Sequence, residues 1–220
     1  MEGGFKAIDF GSLRRLVPVS RRFGFDRGLP IDRYYIEQFL SRYAGDIRGR
    51  VVEMGDDTYI RMFGGAAVTT RDVLFVAEGN PKATFVGDLT SADHIPSGMF
   101  DCIIVTQTLQ FIYDVRAAIK TLGRILKPGG VVLATFPGIT SIASDQWGDD
   151  QSWSFTALSA RRLFEEVFSA SNVRVETFGN LMAAVAFLHG LATKELSAAE
   201  LQAHDPEYEL LVTVRALKSE

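Results

Sequence analysis

Residues Val51–Gly65 read VVEMGDDTYIRMFGG. An apolar run, an acid (Glu53) and a glycine (Gly55) make the strand-to-turn half of a nucleotide-binding unit. Asp56 and Asp57 then stand where further glycines would let backbone approach a pyrophosphate at a helix N-terminus. Which ligand suits a turn carrying three carboxylates is the question the rest of the chain has to answer.

Working outward, apolar strand patterns alternate with helical ones. Upstream, residues 1–30 have no clear period and are punctuated by Gly24, Gly28 and Pro30, as in an arm or lid. Pro30 and Asp32 then open a helix whose apolar face is Tyr35, Ile36, Phe39, Leu40 and Tyr43. Downstream, DVLFVA (72–77) and ATFVGDL (83–89) read as strands, with only EGNPK between them. A parallel crossover needs a dozen residues or more, so either a helix is lost there or the strands are misplaced. FDCIIVT (100–106) is a buried central strand, and YDVRAAIKTLGRIL (113–126) is an amphipathic helix. KPGG (127–130) breaks that helix before a fifth strand, VVLATFP. SARRLFEEVF is a second amphipathic helix with Ser159 as its N-cap. NVRVETF and YELLVTVRA close the chain as strands, with a helical insertion at about 180–204 between them. The alternation predicts an α/β protein: a doubly wound, Rossmann-like, seven-stranded sheet, mostly parallel, with helices on both faces. Residues 1–47 form an arm and lid helix, and 48–220 form the main domain. Ligands in such sheets bind at the carboxyl ends of the strands, at the topological switch point.

Composition narrows the function. Net charge is -4, apolar residues are 47% and charged residues 23%, so nucleic acid is not the expected partner. There is no run long enough to span a bilayer and no apolar signal core at the start. The lone Cys102, in an apolar run, is read as an inert core thiol and fits a reducing cytoplasm. No metal-ligand spacing is visible, so no metal is expected. A homodimer is compatible with the sequence.

The carboxylate turn selects against a dinucleotide. Two aspartates beside a pyrophosphate would repel it by a few kcal/mol each at short range. S-adenosylmethionine (SAM) reverses the sign: it carries a sulfonium, an ammonium and a ribose diol, and no phosphate. Glu53, at the end of its strand, would face the ammonium. Asp56 and Asp57 would either stabilise charge near the sulfonium or cap the next helix. Arg33 or Tyr34, on the first helix, would donate to the cofactor carboxylate.

Residues 48–137 resemble the core of a class I SAM-dependent methyltransferase of the small-molecule type. VVEMGDD resembles a thinned form of that family's first turn. FDCIIVTQTLQFIYDVRAAIKTLGRILKPGGVVLATFP is similar to its fourth strand, helix, K-P-G-G turn and fifth strand. The resemblance implies an antiparallel last strand, Glu78 on the ribose diol, Asp88 on the adenine amino group, Leu89 beside the ring, and Thr106 and Gln107 along the methionine end. The segment LRRLVPVSRRFGFDRGLPIDRYYIEQFL resembles a subgroup of bacterial methyltransferases found with glycosyltransferases, which implies a sugar, glycan or similar small acceptor. Missing turn glycines and the absent helix after the second strand depart from the family.

For the acceptor, the segment after the fifth strand carries Trp147 and Trp153, the only tryptophans, with Asp145, Asp149 and Asp150 among them. Aromatic faces beside carboxylates suit a sugar ring, and Trp147, Trp153 and Asp149 are its expected contacts. Asp145, Asp149 or His189 is a candidate to take a hydroxyl proton. Three functions compete: SAM-dependent O-methylation, a degenerate non-catalytic subunit of methyltransferase fold, and a nicotinamide oxidoreductase disfavoured by the turn.

Overall fold

The structure, a computed structural model, describes residues 9, 11–142 and 151–220. Its seven strands lie in the order β3-β2-β1-β4-β5-β7-β6. They are β1 Gly49–Met54, β2 Val68–Phe75, β3 Phe85–Val86, β4 Phe100–Thr106, β5 Leu126–Pro137, β6 Val173–Phe178 and β7 Leu211–Leu217. All pairs from β3 to β5 are parallel, whereas β7 runs antiparallel to both β5 and β6. The expected single reversed strand is thus β7, seated between β5 and β6. Strand order reverses at β1–β4, which is the switch point.

Strand side chains alternate between two apolar layers, as a period of two requires. Val52, Ile103, Val105, Val132 and Ala134 face one layer, where α3 (Val115–Ile125) and α4 (Ala157–Glu165) contribute Ile119, Leu122 and Phe164. Val51, Cys102, Ile104 and Leu133 face the other, with α1 (Ile31–Arg42), α2 (Thr58–Phe63), α5 (Leu181–Leu188) and α6 (Ala198–Gln202). Cys102 is fully buried, and burial pushes its thiol well above the ordinary range, so it is inert, as expected.

One local alternative is settled and two expectations change. The short link holds: β2 pairs in parallel with β3 and no helix lies in residues 76–84. The link is supported instead by Thr84, whose backbone N–H donates to Val73 O and whose hydroxyl accepts from Val73 N. KPGG does not precede β5 but lies within it. Phe100 pairs with Leu126 and Cys102 with Val131, so the extra residues bulge out at Gly129, with φ +72°. The N-cap of α4 is Thr156, and Ser159 is its capping-box partner three residues on. The box competes better than a lone Ser159 cap because it satisfies donors at both positions.

The arm leans on the helical insertion. Val19 and Ser20 N–H groups donate to His189 O, Arg27 pairs with Glu195, and Phe23 lies 6.1 Å from Phe187. Among the described residues no helix is long and apolar enough to cross a membrane.

Candidate functional site

A cavity of about 840 Å³ opens at the carboxyl ends of β1, β2, β4 and β5, where the switch point lies. Its floor is Met54–Gly55 after β1 and Leu74–Val76 after β2. Gly87–Thr90 follow β3 on one side, and Thr106–Thr108 with Gln110 follow β4 on the other. Asp32 and Arg33 enter from α1, and Phe23 and Phe25 from the arm.

In the turn after β1 the three carboxylates make local contacts. Glu53 is 2% exposed, and its oxygens accept from Tyr59 N (3.1 Å) and Ile60 N (2.9 Å) of α2. Burial drives its pKa up to about 8, against the pull of those two N–H groups. Asp56 Oδ1 accepts from Thr58 N at 2.9 Å, and Asp57 pairs with Arg61 at 2.5 Å and Lys82 at 3.7 Å. None of the three carboxylates lines the cavity. Glu53 and Asp56 meet N–H groups at the start of α2, which have no partner within the helix, and Asp57 pairs with Arg61 of α2 while its Oδ1 accepts no hydrogen bond.

Gly55 does line the cavity. Its φ is +89°, and an added Cβ would meet nothing within 4 Å, so the position is set by backbone conformation rather than crowding. Its N–H donates to Leu74 O at 3.0 Å, and its carbonyl accepts from Asn80 Nδ2 at 2.7 Å. Asn80, in the short link, was not singled out from sequence. The link's lack of a helix is the signal that could have drawn attention to it.

Of the remaining expected cofactor residues, Asp88, Leu89, Thr106, Gln107 and Arg33 are brought together around this cavity. Asp88 Oδ1 accepts from Thr90 N at 2.8 Å. The Arg33 guanidinium lies 3.4 Å from the Asp32 carboxylate and 5.6 Å from the Phe25 ring centre. Glu78 is exposed and Tyr34 packs edge-on to Tyr35 at 5.3 Å, neither lining the cavity. Asp145, Trp147, Asp149 and Asp150 lie outside the described residues. Trp153 does not line this cavity: its indole N–H donates to Ile112 O at 3.1 Å, and its ring stacks on Tyr113 at 5.8 Å. His189 ends α5, away from the cavity lining, with a buried Nδ1 that has no partner.

SAM fits the residues present. Gly55 leaves open space at the strand end, Arg33 suits a carboxylate, and Asp88 suits an amino or hydroxyl donor. Leu74, Phe75 and Leu89 supply apolar walls for a base.

Comparison with known proteins agrees with this geometry. Residues 68–134, from β2 into β5, match a family described as a methyltransferase domain. No curated protein sequence matches the chain. Its fold is similar to that of a SAM-dependent methyltransferase from Archaeoglobus fulgidus, with a TM-score of 0.57 and 12% identity over 84% of this chain and 94% of that one. It is also similar to a SAM-dependent methyltransferase, possible histamine N-methyltransferase, from Thermotoga maritima, with a TM-score of 0.55 and 17% identity over 91% and 99% of the two chains. A third, an S-adenosylmethionine-dependent methyltransferase from Mesorhizobium loti, gives a TM-score of 0.54 and 16% identity over 89% and 100%. Fold and domain match agree: residues 68–134 are similar to a methyltransferase domain, and the chain has the Rossmann-like fold seen in these methyltransferase structures.

Proposed function

We propose that this enzyme transfers the methyl group of SAM to an oxygen of a small polar acceptor, a sugar or glycan being the class implied by the resemblance of the N-terminal segment. The observation that carries the reading is the cavity at the switch point. Asp32, Arg33, Gly55, Asp88 and Leu89 hold one part of it, and apolar, neutral polar and aromatic side chains hold the rest. The domain match favours an enzyme over a non-catalytic subunit.

SAM, when bound, supplies an electrophilic methyl group on sulfonium, open to in-line displacement. Arg33 would pair with its carboxylate, and Asp88 would accept from the adenine amino group, as the family resemblance implies. Gly55 would admit the cofactor close to the end of β1. The arm and α5 would cover the cavity through Phe23, Phe25 and Phe187, excluding water from the reacting atoms. In this reading residues 1–47 act as arm and lid. Of the expected proton acceptors, Asp145 and Asp149 remain proposals on the segment after β5. His189 would have to turn away from its place at the end of α5 to serve.

Calorimetry with SAM, its product S-adenosylhomocysteine (SAH) and NAD tests the reading. Micromolar binding of SAH with none of NAD is expected. Binding of NAD alone, or of neither ligand, would overturn it.

A further inference from the structure

We propose that Gln110 selects the acceptor, its side-chain oxygen accepting a hydrogen bond from a hydroxyl of an uncharged molecule. The inference rests on the methyl-transfer reading above and gives it a substrate class.

Gln110 sits in the short turn Leu109–Phe111 that follows β4. It is 4% exposed, yet it lines the cavity. Its Nε2 donates to Gln107 Oε1 at 3.2 Å. Oε1 is left buried with no hydrogen-bond partner. Buried polar atoms are almost always paired, and an unpartnered acceptor on a residue that lines a cavity is a candidate for a ligand's donor. The residue is also held firmly: its backbone carbonyl accepts from Ser152 N at 2.8 Å and Trp153 N at 3.2 Å. Gln107 has a φ of +46°, which a non-glycine residue seldom adopts. Strain of this kind collects at ligand sites, where surrounding structure over-determines it.

Position assigns this oxygen to the acceptor. Asp88 and Leu89 follow β3, and Gly55 follows β1, whereas Gln107 and Gln110 follow β4 beside the end of β5. Gln110 thus lines the side of the cavity away from the proposed adenine contact.

Charge assigns the class. Among the described lining residues, Arg33 is the only cation, and it already faces Asp32; Asp88 adds a second acid. A phosphorylated acceptor would bring up to two negative charges with no lining side-chain cation left to meet them. Neutral groups and rings, among them Gln107, Gln110, Tyr113 and Phe25, suit hydroxyls and C–H faces instead. An amide oxygen is too weak a base to take a proton, so Gln110 orients and selects rather than catalyses.

The test uses the full chain and a panel of neutral glycosides, each paired with its phosphorylated counterpart, scored by SAH release. SAH affinity is measured alongside by calorimetry. The wild type is expected to methylate neutral members only. Gln110→Met, of similar size but without the acceptor, should raise KM for them at least tenfold, change kcat little and leave SAH affinity within twofold. Gln110→Glu, which keeps an acceptor oxygen, should hold KM within about threefold of wild type, and it carries the test if Gln110→Met does not fold. A KM raised tenfold by Gln110→Glu, or unchanged in Gln110→Met, would overturn the role. Turnover confined to phosphorylated members, or none on any neutral member by protein that binds SAH, would overturn the class. A tenfold loss of SAH affinity in Gln110→Met would show that the oxygen serves the cofactor. Failure of the wild type to bind SAH would instead remove the methyl-transfer reading, and this inference with it.

Discussion

Glu53 Oε2 accepts the Ile60 backbone N–H at 2.9 Å, so the acid that ends β1 also begins α2. With Oε1 on Tyr59 N, the side chain ties the strand to the helix across the turn that carries Gly55. The carboxylate is expected to act on the cavity through the shape of this turn.

That geometry makes Glu53 a stability residue with a pH signature. Burial raises its folded pKa from 4.5 to about 8. Between those values the unfolded chain releases the proton and the folded chain keeps it, so stability should fall as pH rises from about 4.5 to about 8. Glu53→Gln removes this slope. It also turns an amide N–H₂ toward a backbone donor, which costs roughly 1–3 kcal/mol at the acid end of the window. Urea denaturation of both proteins between pH 5 and 8.5 checks this; parallel curves would rule it out.

Gly55→Ala should lower stability by about 1–2 kcal/mol, because φ +89° is open to glycine and strained for any L side chain. It should also weaken SAH binding, since the new methyl projects into space the glycine leaves open. Thermal melts and calorimetry report the two effects separately. An unaltered melt would mean that the turn relaxes at no cost.

Asn80→Ala removes the donor to the Gly55 carbonyl. A loss of about 1 kcal/mol in the bound turn corresponds to roughly fivefold weaker SAH binding. Equal affinity of the variant and wild type would show that the link does not support the turn.

Asp88→Ala should weaken SAH binding roughly 10- to 100-fold with little change in stability, because a charge-assisted hydrogen bond contributes about 1.5–3 kcal/mol. Its carboxylate is exposed and accepts only locally, from Thr90 N. Retained affinity in a folded Asp88→Ala protein would remove it from the site.

Trp153→Ala should cost roughly 1–3 kcal/mol of stability by losing the bond to Ile112 O and the stack on Tyr113, with SAH affinity unchanged. Trp153→Phe keeps the stack and should lose about half as much. Stability equal to wild type in both would return Trp153 to the acceptor contacts.

Much of this protein could be read from its residues in order. Runs such as FDCIIVT and VVLATFP are apolar enough to be covered on both faces, and helices of period 3.6 alternate with them, so the doubly wound sheet follows from local pattern. The same logic put Gly55, Asp88, Leu89, Thr106 and Gln107 near strand ends, where the cavity lies. Tertiary structure alone decided which polar groups remained for a ligand. Glu53, Asp56 and Asp57 have the right charge for a cationic cofactor, and the fold also gives them local partners: N–H groups of α2 for Glu53 and Asp56, and Arg61 for Asp57. Gln110 looks like any turn glutamine until Gln107 is seen to hold its nitrogen and leave its oxygen unpaired. A residue's type fixes what it can bind; which partner it takes depends on the three-dimensional neighbours that compete for its few hydrogen-bonding sites.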